Sequence, residues 1–292
     1  MAGCVPAQSL RQRIFRKLVF PAPNPPGYDI NSCTILDDGT PCIVVDRRAT
    51  RPHATTHWLV FYSHGNQSDA GSAAALLVGL IDALQAKSRD SVSFICYDYR
   101  GYGLDRDRPP SELGCNAAAQ SAYDYATTSL GFETARILLY GTSLGAAPTL
   151  ELALKNQVQL PVNQRSSVLL QSPFTSLDAV LSTWWPLNVI IFPSSTPANH
   201  VRFDNLGKIS RVANSITILH GDADELVPIG HSTSLNAEIA GESRLVVFAR
   251  AGHNDITSDK YHRRWVDLVE QTLFREPIAP MVQVAVDRVK SV

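Results

Sequence analysis

The sequence predicts an α/β fold in which helices cover both faces of a mostly parallel central sheet. Short apolar runs alternate with helical stretches along most of the chain, and strands that alternate with helices build such a sheet. The length, 292 residues, suits one α/β domain with short extensions. Hydrophobic residues make up 45% and charged residues 18%, enough apolar material for a sizeable core and too little charge for disorder.

The elements follow in order. Residues 28–46 read as a hairpin, with Asp38-Gly39 as its turn signal. Trp58 to Tyr62 is the first apolar strand, and an Ala/Leu-rich helix over 72–86 follows it. Val92 to Tyr97 is the next strand, and a helix over 116–129 leads to the strand Ala135 to Tyr140. A helix over 144–155 leads to Ser167 to Gln171. Ile216 to Leu219 and Arg244 to Phe248 are later strands, and a helix over 258–274 closes the domain. Pro21, Pro23, Pro25 and Pro26 stop any helix before them. The domain is therefore expected over 28–275, with an N-terminal segment at 1–27 and a C-terminal extension at 276–292.

Charge and cysteines narrow the function. A net charge of -1 argues against a nucleic-acid binder of the simple electrostatic kind. Cys4, Cys33, Cys42, Cys96 and Cys115 contain no C-x-x-C pair, so neither a disulfide framework nor a zinc site is expected, and a reducing compartment fits. No secretory signal is expected, because no apolar stretch follows the early basic residues. No run of about 18 apolar residues that would span a bilayer is seen. Residues 8–20 do place Leu10, Ile14 and Leu18 on one face of a basic helix. Such a helix lies on an anionic membrane surface or docks on its own domain.

The chemistry centres on Gly141-Thr142-Ser143-Leu144-Gly145, a G-x-S-x-G motif. An apolar strand ends at Tyr140 and an Ala/Leu-rich helix begins after Ser143, the strand–turn–helix setting of a nucleophile. The glycines serve a strained turn that neighbouring backbone must approach closely. A serine nucleophile needs a base and a group to orient it. His253 follows a late strand and precedes the last helix, which makes it the expected base. The acid is expected after the strand ending at Leu219, where Asp222, Asp224 and Glu225 compete, and the spacing from His220-Gly221 favours Asp224. An oxyanion hole is expected from the backbone amides of Leu144 and Asn66. His64 and His220 read as structural. The chemistry calls for no metal and no organic cofactor.

Five stretches together carry a resemblance: Phe61 to Asn66, Asp98 to Gly103, the turn at Ser143, His220-Gly221 with Asp224, and Gly252 to Asp255. With them the chain resembles the serine-aminopeptidase-like α/β hydrolases over residues 14–274. Within them it looks most like the α/β-hydrolase-domain-containing 17 group, which are membrane-associated protein depalmitoylases. Ile14 to Phe20 followed by prolines, and Ser172-Pro173 before Thr175-Ser176, add to that likeness. The resemblance implies the α/β-hydrolase fold and a Ser143, Asp224, His253 triad. It implies a serine hydrolase that cleaves acyl thioesters or esters, S-palmitoyl groups on proteins among them. A lipase, carboxylesterase or serine peptidase on the same triad is the first alternative. A non-catalytic protein at the membrane periphery is the second. The expected partners are an acylated protein or lipid-like ester and a membrane surface, with no nucleic acid, and the expected place is the cytoplasm, at the inner face of a membrane.

Two departures follow. The group carries several N-terminal cysteines for acylation, and here only Cys4 is available, with Arg11 to Lys17 as a second membrane signal. The run at 183–193 containing Trp184 and Trp185 is unusually apolar for a connection leaving a strand. It is expected to be a lid that lines an acyl-chain pocket, or else a core-packed excursion.

Overall fold

The computed structural model describes residues 19–158, 160–161, 164–183 and 202–274. Cys4, Trp184, Trp185 and the extension at 276–292 lie outside these residues, as does nearly all of the segment at 8–20.

Among the described residues, eight strands form one sheet: β1 Thr34–Ile35, β2 Pro41–Val45, β3 His57–Ser63, β4 Ser91–Tyr97, β5 Ile137–Thr142, β6 Ser167–Gln171, β7 Ile216–Gly221 and β8 Ser243–Phe248. Their order is β1-β2-β4-β3-β5-β6-β7-β8. The hairpin of β1 and β2 is antiparallel, and β2 pairs antiparallel with β4. The remaining pairings are parallel, so the expected mostly parallel sheet is present.

Among the described residues, seven α-helices accompany it: α1 Ala70–Lys87, α2 Glu112–Asp124, α3 Ala146–Asn156, α4 Leu177–Thr183, α5 Asn205–Ile209, α6 Gly230–Ala237 and α7 His262–Leu273. Alternation along the strands divides the core into two layers. On β3, Leu59 and Phe61 face one layer with Ala118, Ala122 and Leu150 from α2 and α3. Val60 and Tyr62 face the other, with Leu77 and Leu80 of α1 and Trp265 and Val269 of α7. Central strands buried on both faces read as apolar runs for this reason. Among the described residues, α1 is long and apolar enough to cross a membrane by length and composition, and its face of Leu77, Leu80, Ile81 and Leu84 is buried against the sheet.

Three boundaries differ from expectation for local reasons. The helix expected over 116–129 starts at Glu112, because Ser111 caps it by accepting from the Gly114 amide at 3.0 Å. Its last part is a π-turn over Tyr125–Ser129. The strand expected from Ala135 begins at Ile137, because Thr134–Arg136 form a short 3-10 turn. Tyr28 is not where packing begins: Val19 and Phe20 are already buried, and the Phe20 ring meets Tyr102 and Phe203 edge-on.

Candidate active site

Four chain segments meet at the carboxyl ends of the central strands, where ligands of open α/β sheets bind. The first is the turn between β5 and α3. Ser143 sits there at φ +52°, a left-handed conformation that a side chain adopts at a cost of about 1–3 kcal/mol. Its flanking glycines permit the turn. A Cβ on Gly145 would lie 2.0 Å from the Ser63 carbonyl oxygen, and one on Gly141 would lie 2.5 Å from the Gly145 carbonyl oxygen. The motif is thus a packing requirement: the end of β3 leaves no room for a side chain at Gly145, and Gly145 with Thr149 of α3 leaves none at Gly141.

The second segment is the loop after β8. It carries His253, whose Nε2 is 3.0 Å from Ser143 Oγ. The third is the loop after β7, which carries Asp224. Its Oδ2 is 2.7 Å from His253 Nδ1, and its Oδ1 accepts from the amides of Leu226 at 3.0 Å and Val227 at 2.8 Å. A carboxylate at Nδ1 fixes that nitrogen as the proton carrier and leaves Nε2 free to accept from Ser143. Burial pushes the Asp224 carboxyl up, but donors from His220, His253 and the Val227 amide outweigh it and hold the group well below the usual carboxylate range. Asp222 and Glu225, the competitors in the same loop, are exposed. The structure therefore brings Ser143, His253 and Asp224 together in one hydrogen-bonded line.

The fourth segment is the loop after β3. Gly65 lies beside the turn at Ser143, since a Cβ placed on it would be 3.9 Å from Ser143 Cβ. Asn66, Leu144 and Ser143 line the same cavity. The Asn66 side chain is held at both ends: Nδ2 donates to the Val19 carbonyl oxygen at 2.6 Å, and Oδ1 accepts from the Tyr102 hydroxyl. The His64 carbonyl accepts from the Tyr99 hydroxyl at 2.7 Å. The His64 ring is buried and its Nε2 lies 3.2 Å from Asp98 Oδ1.

The cavity has a volume of about 450 Å³. One wall is apolar and comes from Val19, Phe174, Leu177, Val180, Leu181 and Leu226. Three of these belong to α4, the described start of the excursion that runs on to Trp184 and Trp185. The lining is polar at Tyr62, Thr142 and Gln171. A brace stands behind it. Trp265 Nε1 donates to the Tyr140 hydroxyl at 2.8 Å, and that hydroxyl donates to Gln171 Oε1 at 2.5 Å. Burial pushes the Tyr62 phenol up to about 12, so it stays protonated and donates to Thr142 Oγ1 at 3.0 Å. The thiols of Cys42, Cys96 and Cys115 are also pushed up by burial and do not compete as nucleophiles. Among the described residues, no group of three or more His, Cys, Asp or Glu is placed to hold a metal ion.

Sequence reasoning missed four contributors. Val19 and Tyr102 hold Asn66 from afar, which no local pattern announces. Gln171 is a polar residue closing an apolar strand, a visible signal. The fourth is His220, which packs against Asp224.

Comparison with known proteins decides the family. A profile of the alpha/beta hydrolase family matches residues 60–212, just over half of the chain. This chain belongs to the alpha/beta hydrolase family. This hydrolase is 32% identical over 198 residues to a protein of Acanthamoeba polyphaga mimivirus named as an alpha/beta hydrolase, covering 68% of this chain and 67% of the other. It is 26% identical over 245 residues to alpha/beta hydrolase domain-containing protein 17C of Homo sapiens, covering 84% of this chain and 65% of the other. The resemblance drawn from the sequence is thus found again in alignment. The chain spans about two thirds of the length of the curated relatives it matches. Among solved structures, the 2,6-dihydroxy-pseudo-oxynicotine hydrolase superposes with a TM-score of 0.64 at 18% identity, over 86% of this chain and 70% of the other. At that identity the likeness speaks for the fold alone.

Proposed function

We propose that this alpha/beta hydrolase is a serine hydrolase of acyl thioesters or esters, acting on S-palmitoyl groups of proteins. The observation that carries the reading is His253, placed between Ser143 Oγ and Asp224 Oδ2 at 3.0 and 2.7 Å. Both distances lie within the reach of a nucleophile, its base and the group orienting that base.

In the reaction, Ser143 Oγ attacks the acyl carbonyl carbon as its proton passes to His253 Nε2. The Asp224 carboxylate stabilises the imidazolium that forms. The oxyanion accepts from the backbone amides of Leu144 and Asn66. The intermediate collapses, the carbon–sulfur or carbon–oxygen bond breaks, and the leaving thiol or alcohol takes the proton from His253. Water then attacks the acyl-enzyme by the same route, and a carboxylic acid and Ser143 are released. No cofactor takes part in these steps.

The apolar wall beside Ser143 suits an acyl chain, and Trp184 and Trp185 would extend it as part of a lid over 183–193. The likeness to the protein 17C group supports a protein-bound acyl substrate. The basic residues 11–17, with Cys4 as an acylation site, would seat the chain at the inner face of a membrane. Comparing membrane fractions of Cys4→Ser and wild type tests that seat, and equal partitioning rejects acylation at Cys4.

The apolar wall would hold the acyl chain of an O-ester equally well, which keeps a lipase or carboxylesterase as the second reading. Release of fatty acid from S-acylated peptides, matched O-esters and matched amides ranks the readings. A preference for the thioester supports the proposal. A preference for the O-ester favours the lipase reading, one for the amide favours the peptidase, and no turnover of any favours the non-catalytic one.

A further inference from the structure

His220 is the penultimate residue of β7 and is fully buried. Its two ring nitrogens have unlike partners. Nε2 is 2.7 Å from the carbonyl oxygen of Val227, and Nδ1 is 2.6 Å from the hydroxyl of Ser232 on α6. A carbonyl oxygen only accepts, so Nε2 carries a proton. The Ser232 hydroxyl can then donate to Nδ1. The same Nε2 lies 3.3 Å from Asp224 Oδ2, the oxygen that also receives His253 Nδ1. One carboxylate oxygen therefore faces two imidazole N–H groups, while its twin takes two backbone amides. Donors from four residues, drawn from β7, the acid loop and the loop after β8, thus converge on one buried carboxylate.

We propose that His220 is a positioning residue for the acid of the triad: its shared Nε2–H and the Ser232 hydroxyl behind it hold Asp224 Oδ2 in line with His253. The proposal rests on the triad reading above and extends it by one further link, Ser232 to His220 to Asp224. His220 does not touch the acyl group. It acts through Asp224 in two ways. Its proton balances part of the carboxylate charge, which sets how strongly His253 is held as imidazolium. Its bond to the Val227 carbonyl fixes the loop whose amides bind Asp224 Oδ1. The titratable groups around this carboxylate are His220 on β7, His253 after β8 and His231 on α6. The last is depressed by burial and by the neighbouring His220. A histidine two positions before an acid-bearing loop reads as a strand-end packing residue in sequence, and only the geometry shows which oxygen it serves.

The test compares pH profiles of kcat/KM, with a p-nitrophenyl acyl ester as substrate, for wild type, His220→Leu, His220→Gln and Ser232→Ala. His220→Leu removes the donor, so the less compensated carboxylate holds the His253 proton longer. Its acidic limb moves to higher pH, and kcat falls about tenfold with KM little changed, a fraction of the ~10²–10⁴ that general acid–base catalysis contributes. His220→Gln restores an N–H near the Nε2 position and recovers most of kcat. Ser232→Ala moves the limb in the same direction by less, and it decides the question if His220→Leu fails to fold. An acidic limb unmoved in both His220→Leu and Ser232→Ala overturns the proposal, as does a His220→Gln variant as impaired as a folded His220→Leu. Ser143→Ala run in parallel separates the two layers. If it loses turnover while the His220 and Ser232 variants match wild type, the positioning role alone is wrong. If it keeps turnover, the triad reading falls and the role of His220 falls with it.

Discussion

The carbonyl oxygen of Val19 accepts a 2.6 Å hydrogen bond from Nδ2 of Asn66. The contact joins Val19 to the loop after β3, whose Asn66 amide is the proposed oxyanion donor. Tyr102 holds the other end of the same side chain, and Phe20 packs on Tyr102. Asn66→Ala keeps the backbone amide but frees the loop. Its kcat is expected to fall about tenfold with KM nearly unchanged, less than the ~10²–10³ lost when an oxyanion donor is removed outright. Tyr102→Phe should lower kcat by a smaller factor in the same direction. Steady-state kinetics on an acyl ester read both, and wild-type kcat in the two variants contradicts the clamp.

Gly145→Ala tests the packing account of the turn. The added Cβ meets the Ser63 carbonyl oxygen at 2.0 Å. Backbone on both sides cannot yield as a flexible side chain would. The variant should lose about 3 kcal/mol of stability, the upper end of ordinary overpacking. Urea unfolding measures it, and a loss near zero contradicts the close approach.

The three residues of the proposed triad are legible because each follows a strand that the apolar pattern marks. Ser143 follows β5, Asp224 follows β7 and His253 follows β8, and chain order with spacing narrowed the choice at each. The helix starts were less legible, because caps such as Ser111 act over one turn and leave a weak pattern. What the sequence left hidden depends on contacts between distant positions. Val19 reaches Asn66 across 47 residues and Trp265 reaches Tyr140 across 125. No local period or motif encodes a pairing that only the folded sheet creates.

The depressed Asp224 carboxyl makes a prediction about acid stability. Its folded value lies below that of an unfolded aspartate, about 3.9. Ionised Asp224 therefore contributes stability that is fully present above the unfolded value and is lost as pH falls from about 5 through the folded one. Asp224→Asn lacks this dependence. The stability difference between wild type and Asp224→Asn, measured by urea unfolding between pH 7 and 3, should shift against wild type as the pH falls through about 4. A difference that stays constant across that range contradicts the hydrogen-bonded ionised carboxylate.

The lid reading is tested by replacing Trp184 and Trp185 with serine. The expected result is unchanged thermal stability with at least a tenfold loss of turnover on long-chain esters and little loss on short ones. That loss follows if the two rings add about 1.5–3 kcal/mol of contact to a long chain. Loss of stability in step with loss of activity contradicts a lid and favours core packing.

Every proposed step depends on Ser143 being an activated nucleophile. A fluorophosphonate probe, followed by mass mapping of the adduct, tests it most directly. One adduct is expected on the peptide containing Ser143, absent in Ser143→Ala and much slower to form in His253→Ala. A wild type that labels no better than Ser143→Ala, or an adduct on another residue, would contradict it.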